Sequence, residues 1–317
     1  MMDRRKFIKT GSAVAAGVSL GGTLLAAPIH RSTSPAHPIH LFTKCLQFLD
    51  YNKMAEVVAE NGFDGADLTV RPGGQVLPEN VEKDLPKVMK ALRSAGVGTN
   101  MISTAIPDAD DPFTRPILRT MAELGIRYYR MGWLKYDPQK TITENLDQHK
   151  STFEKLEKLN REFEVSSNYQ NHSGDGVGAP VWDLHHLLKD LEPEYFGVQY
   201  DIRHATVEGG ISWPLGMKLL APWIQTVDIK DFIWHKNEEG QWGIKNVPLG
   251  EGMVDFDNYL GLYKSLRIKA PVSIHYEYNL GGAEHGDLNP TMELDEISQW
   301  LKKDITFLKK RFKKFGL

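Results

Sequence analysis

Four short runs in the second half of the chain close on groups that do chemistry: Tyr169-Gln170-Asn171-His172, Tyr200-Asp201-Ile202-Arg203-His204, Val227-Asp228-Ile229-Lys230-Asp231 and Ile274-His275-Tyr276-Glu277. Amide, carboxylate, imidazole and amine groups gathered in this way suit two tasks, holding a divalent cation and moving a proton. No run is diagnostic alone. Their weight lies in recurrence, because side chains that end successive strands of a barrel converge, whereas a scattered surface set does not. Cys45 is the only cysteine, so neither an internal disulfide nor a thiolate cluster is available, and any metal must use carboxylate, imidazole and amide ligands. Asp201 ends a strand-like run where an unpaired carboxylate is costly to bury, which calls for a metal or another cation beside it. His172 reads equally as a hydrogen-bonded rim residue, and Lys230 with Asp231 equally as a structural ion pair.

The elements that must position these groups follow a regular rhythm. Strand-like runs begin at Pro38-Ile39-His40-Leu41-Phe42, Gly65 to Val70, Val97 to Ser103 and Tyr128 to Trp133, and continue through Val165 to His172, Gly197 to Asp201, Ile224 to Ile229 and Pro271 to Tyr278. Amphipathic stretches separate them. Asp50 is placed to cap a helix carrying Met54, Val57 and Val58 on one face. A charged helix spans about Ile142 to Glu162, and a helix over Val181 to Leu191 carries His185 and His186 as surface or packing residues. A final helix from about Pro290 puts Leu294, Ile297, Leu301, Ile305 and Leu308 on one stripe. Only His235 to Gly252, rich in Gly, Asn and Lys, breaks the pattern and reads as a long loop or lid.

Eight alternating units over about 280 residues match a single-domain α/β fold, the (β/α)8 TIM barrel, typically ~250 residues. An open doubly wound sheet is the competitor, but the first junction, Lys44-Cys45-Leu46-Gln47, lacks the glycines of a phosphate-binding fingerprint. The 317 residues, 41% hydrophobic and 25% charged, exclude disorder, a fibre and a disulfide mini-protein. A net charge of -3 provides no bulk field for nucleic acid or an anionic membrane.

The first residues are an address. Asp3-Arg4-Arg5-Lys6-Phe7-Ile8-Lys9 precedes an uncharged Gly/Ala/Val/Leu stretch from Gly11 to Ala27. This is the pattern of a twin-arginine export signal, too short and too rich in small residues for a stable membrane span. Residues 1–35 are therefore assigned to the signal and a short linker, residues 36–317 to the barrel, and the expected location is periplasmic or envelope-associated.

With the strand-end runs in order, the chain from about residue 38 to 310 resembles the sugar phosphate isomerase/epimerases of the xylose isomerase-like TIM barrels, relatives of the endonuclease IV barrel. In that family the fifth strand ends in Glu-Asn-His, the sixth in an Asp followed by a near His, the seventh in His-x-Lys-Asp and the eighth in a Glu. The leading positions hold one divalent metal. The resemblance carries that role to Gln170, Asp201, Asp228 and His275, a set suited to manganese, magnesium, zinc or cobalt. The departures matter. Gln170 replaces a glutamate that shares acid/base work in the family, and an amide cannot abstract a proton. Glu277, two residues past His275, is then the best remaining base, with Lys230 and His172 as further proton-transfer candidates.

The resemblance also implies a small-molecule sugar or glycoside as partner. Lys44, Arg71 beside Gly73 and Gly74, Trp133 and His204 are candidate substrate contacts; core packing competes for Trp133 and an exposed salt bridge for Arg71. Export and the missing phosphate cradle favour an unphosphorylated keto sugar, attacked at the carbon next to its carbonyl. Isomerisation or epimerisation is the first expectation. β-Elimination or hydration of a 3-keto-glycoside, and a non-catalytic sugar-binding barrel, are the alternatives; a nucleic-acid partner is disfavoured, and homo-oligomerisation is left open.

Overall fold

Apolar strands that must be covered on both faces are the currency of a parallel barrel, and the strand-like runs behave accordingly. In a computed structural model, described for residues 37–317, the strands are β1 (Ile39–Phe42), β2 (Gly65–Val70), β3 (Gly98–Thr104), β4 (Tyr128–Arg130), β5 (Ser166–Gln170), β6 (Phe196–Asp201), β7 (Ile224–Ile229) and β10 (Val272–Ile274). They pair in parallel and close as β1-β10-β7-β6-β5-β4-β3-β2. The TIM barrel expected from the run count is present. The twin-arginine segment and its apolar stretch lie outside the described residues.

Helices fill the outer ring: α1 (Tyr51–Glu60), α2 (Val81–Ser94), α3 (Thr114–Leu124), α4 (Ile142–Phe163), α5 (Val181–Leu188), α6 (Ile202–Gly209), α7 (Trp213–Leu220), α8 (Phe256–Ser265) and α9 (Leu294–Phe315). Asp50 caps α1 as expected, accepting from the Asn52 and Lys53 amides at 2.9 Å. Among the described residues, no helix is long and apolar enough to cross a membrane.

Two differences from the sequence reading bear on function. The segment read as a loop is instead an antiparallel hairpin, β8 (Asp231–Lys236) with β9 (Trp242–Val247). Asn237 and Gly240 form its tip, where Asn237 Oδ1 accepts from the Glu239 and Gln241 amides at 3.1 and 2.9 Å; the strands beneath include β-favouring Phe, Ile, Trp and Val beside Gly243, Lys245 and Asn246. Secondly, several strands stop earlier than their runs, β10 at Ile274 and β5 at Gln170. His275, Glu277 and His172 therefore lie just past the strand ends, where the chain has left the ladder.

Candidate active site

β2, β7 and the end of β10 bring three ligand-capable groups together. Asp67, Asp228 and His275 are buried and each offers an atom within 4.8 Å of the others'. The Nε2 of His275 is 3.1 Å from Asp228 Oδ1 and 3.8 Å from Asp67 Oδ2. Its ring stacks on Phe42 at 4.1 Å between centroids, which fixes the imidazole plane. Asp67 is held by Ser103 Oγ at 3.1 Å and Ser273 Oγ at 2.8 Å. Burial lowers the His275 pKa to about 4, so the ring is neutral. Neither of its nitrogens has a hydrogen-bond partner among the described residues. Burial also pushes Asp228 up to about 7. A neutral, unpartnered imidazole facing two desolvated carboxylates fits a divalent cation.

A second cluster lies beside it, after β6 and β7. The Lys230 ammonium is 2.9 Å from Asp201 Oδ2 and 3.6 Å from Glu277 Oε1. Lys44 approaches Glu277 from the other side at 3.7 Å. Burial would lower Lys230, but Asp201, Glu277 and Asp228 outweigh it and raise its pKa, keeping it charged. Burial likewise pushes Glu277 up, yet Lys230 and Lys44 prevail and hold it far below the usual carboxylate range. Asp201 has two further duties: its Oδ1 caps α6 through the His204 amide at 3.1 Å, and its backbone is locked to Asn171 by hydrogen bonds of 2.8 and 3.0 Å.

Gln170 forms the seam between the clusters. Its Nε2 donates to Asp201 Oδ2 at 3.0 Å and also to Asp228 Oδ2, while its Oε1 accepts from Arg130 at 3.3 Å. The four residues that the family resemblance points to as metal ligands thus converge on one region but divide within it. Asp228 and His275 join Asp67; Asp201 turns to Lys230; Gln170 presents its donor nitrogen to both carboxylates and its oxygen to a guanidinium. Lys230 does not pair with Asp231, whose carboxylate instead accepts from the Phe232, Gly250, Gly252 and Val254 amides at 2.8 to 3.1 Å. A Cβ on Gly252 would fall 2.2 Å from Asp231 Oδ1, so this close approach requires glycine.

The remaining candidates line the mouth. His172 packs between Trp133 and His204, with ring centroids at 4.9 and 4.0 Å. His204 is buried, and its Nδ1 accepts from the Ser173 amide at 3.1 Å while its Nε2 lies 2.9 Å from Lys230. Burial, reinforced by Lys230, lowers both imidazoles, His204 more strongly. Arg71 and Arg130 approach the Phe42 ring at 5.7 Å, and burial lowers Arg71 to about 10. Asp67 and Arg130 escaped the sequence reading. Their signal was a charged residue inside an otherwise strand-like run, Gly65 to Val70 and Tyr128 to Trp133, where only a buried partner makes the charge tolerable.

The family described as xylose isomerase-like TIM barrel matches residues 55–310. The chain belongs to this family. Among solved structures it is similar to an L-ribulose 3-epimerase, with a TM-score of 0.66 and 13% identity over 88% of this chain and 96% of that one. A 3-keto-D-glucoside 4-epimerase from E. coli superposes with a TM-score of 0.62 at 12% identity, covering 86% and 99% of the two chains. A probable 3-DHS dehydratase from Bacillus anthracis gives 0.62 at 15%, covering 86% and 98%. A comparison with curated protein sequences gives no match. At these identities the likeness establishes the xylose isomerase-like barrel as this chain's fold.

Proposed function

We propose that this xylose isomerase-like barrel is an isomerase or epimerase-type enzyme that removes the proton next to the carbonyl of an unphosphorylated keto sugar, with Glu277 as the base. The observation that carries the reading is the position of Glu277: a carboxylate at the barrel mouth, its side chain 25% exposed, flanked by Lys230 and Lys44. In the free site the two ammonium groups keep Glu277 ionised and weakly basic. A substrate oxygen entering between them draws their hydrogen bonds onto itself, which restores basicity to Glu277 at the moment negative charge develops on that oxygen. Lys230 is positioned to return a proton, and His172 is the neutral group next in reach along the mouth.

Asp67, Asp228 and His275 would hold a divalent cation of the manganese, magnesium, zinc or cobalt class, which when bound supplies positive charge for an enediolate. Trp133, Arg71 and Lys44 are proposed sugar contacts. The twin-arginine pattern of Asp3 to Lys9 supports a location outside the cytoplasm, which favours an unphosphorylated sugar.

One observation favours a second outcome from the same first step. Gln170 is locked by Arg130 and two carboxylates and cannot serve as a second base, so expulsion of a β-substituent competes with reprotonation. Incubation of D-fructose, D-allulose and 3-keto-glucosides in D₂O with metal-loaded protein, followed by NMR, separates these. A deuterated epimer or isomer supports the main reading, and an unsaturated or hydrated product supports elimination. Binding with neither deuterium uptake nor an unsaturated or hydrated product from any sugar contradicts both and leaves a sugar-binding barrel.

A further inference from the structure

The β8–β9 hairpin carries a feature that proton transfer does not use. Its register pairs Phe232 with Asn246, Trp234 with Ile244 and Lys236 with Trp242. Directly opposed residues share a face, so these six side chains form one surface. At its base that surface is fastened to the site: Arg203 Nη2 donates to Asn246 Oδ1 at 2.7 Å, Asn246 Nδ2 donates to the Glu277 carbonyl at 3.2 Å, and the Arg203 guanidinium lies 5.6 Å from the Phe232 ring centroid. Farther out the same face shows two indoles to solvent, Trp234 at 41% and Trp242 at 66% exposed. Trp234 stands edge-on to Phe232 at 6.3 Å, and the Lys236 ammonium sits 5.3 Å over Trp242. At a strand rise of about 3.4 Å per residue, Trp242 is about 14 Å along β9 from Asn246. That distance exceeds what one sugar ring seated beside Glu277 can reach.

We propose that this hairpin face is the platform for a second sugar ring, so that the substrate is a glycoside or disaccharide whose keto ring occupies the Glu277 site. Exposed indoles suit the apolar C–H faces of a pyranose, while Lys236 and the indole N–H groups suit its hydroxyls. The hairpin's exposed charges, Lys236 and Lys245 against Glu238 and Glu239, balance, Asp231 being buried, which matches a neutral ligand and disfavours a phosphorylated one. Asn246 makes the platform continuous with the reacting site, because a single side chain joins β9 to the backbone of Glu277. The inference rests on the proposed keto-sugar reading for what sits at Glu277, and its own content is the second ring.

Calorimetric titration with D-fructose and with the keto disaccharides lactulose and isomaltulose tests it on the metal-loaded chain. The wild type is expected to bind at least one disaccharide about fivefold or more tighter than fructose, and Trp234→Ala and Trp242→Ala to erase most of that advantage while changing fructose binding by less than about twofold. Trp242→Phe is expected to restore part of it. Equal affinities for fructose and both disaccharides in the wild type overturn the proposal. So do parallel losses for both sugar sizes, or tryptophan variants that dissociate a dimer and leave disaccharide binding intact. Deuterium uptake into fructose without any tryptophan-dependent disaccharide preference sinks the platform and leaves the Glu277 reading standing. A tryptophan-dependent preference without deuterium uptake does the reverse.

Discussion

Replacing Lys230 by methionine removes the ammonium that lies 2.9 Å from Asp201 and 3.6 Å from Glu277. Asp201 is fully buried, so the variant leaves a desolvated carboxylate without its partner, and a loss of about 3 to 5 kcal/mol is expected in denaturant unfolding. The same change lifts Glu277 toward ordinary carboxylate values, because Lys230 is the strongest charge holding it down; the acid limb of any pH–rate profile should therefore move to higher pH. Metal content makes a separate prediction. Asp67→Asn and His275→Ala should each lower the ratio of bound divalent ion to protein, measured by elemental analysis after metal loading; full retention in both would remove the Asp67–Asp228–His275 group from the account. Asp228, His275 and Glu277 were legible because each closes a strand-like run. Asp67 was not, since the position of an acid within a run says nothing about which strands will face it across a barrel, and β2 meets β10 only through closure around β1. Family likeness alone also gave no hint that Gln170 would turn its nitrogen toward the carboxylates; Arg130, which decides that orientation, sits on a different strand.

Elements hold the mouth from outside, and α9 shows how. Asp304 on α9 is buried and accepts from the Leu249 amide at 3.1 Å and the Tyr278 hydroxyl at 3.0 Å, joining the helix to the segments that follow β9 and β10. Burial raises its pKa to about 7 from an ordinary 3.8. The fold therefore prefers the protonated acid: the associated stability is fully present below about 3.8 and is lost as pH rises through about 7. Asp304→Asn keeps an acceptor for Leu249 and has no charge to bury, so its melting temperature relative to wild type should climb between these pH values, by an amount corresponding to at most about 4 kcal/mol. A difference independent of pH would contradict the burial argument. At this scale the sequence was readable where periodicity is strong, as in α1, α4 and α9. It misled at β8–β9, where turn-forming residues at the hairpin tip masked two short strands of aromatic and β-branched residues, and at β10, where pairing stops three residues before Glu277. His275 and Glu277, two residues apart, therefore do not share a strand face. The two side chains leave the chain's end of β10 for different clusters, one toward Asp228 and one between Lys230 and Lys44.

Across the whole molecule, barrel closure turns separate strand-end runs into a single constellation. Eight parallel strands and their helices were evident from alternation and length, because buried parallel strands leave an apolar imprint on the sequence and amphipathic helices a periodic one. The division of the mouth into a cation-ready group and a lysine–carboxylate group was not, since it depends on which buried charges find each other in three dimensions. The proposed chemistry rests on one step, removal by Glu277 of the proton adjacent to a sugar carbonyl. Its most direct test compares wild type with Glu277→Gln, an isosteric change at a partly exposed position, by NMR of a bound keto sugar in D₂O. Wild type is expected to take up deuterium and the variant to lose at least about a hundredfold of that uptake, with sugar affinity largely retained. Undiminished uptake in Glu277→Gln would contradict the assignment of Glu277 as the base.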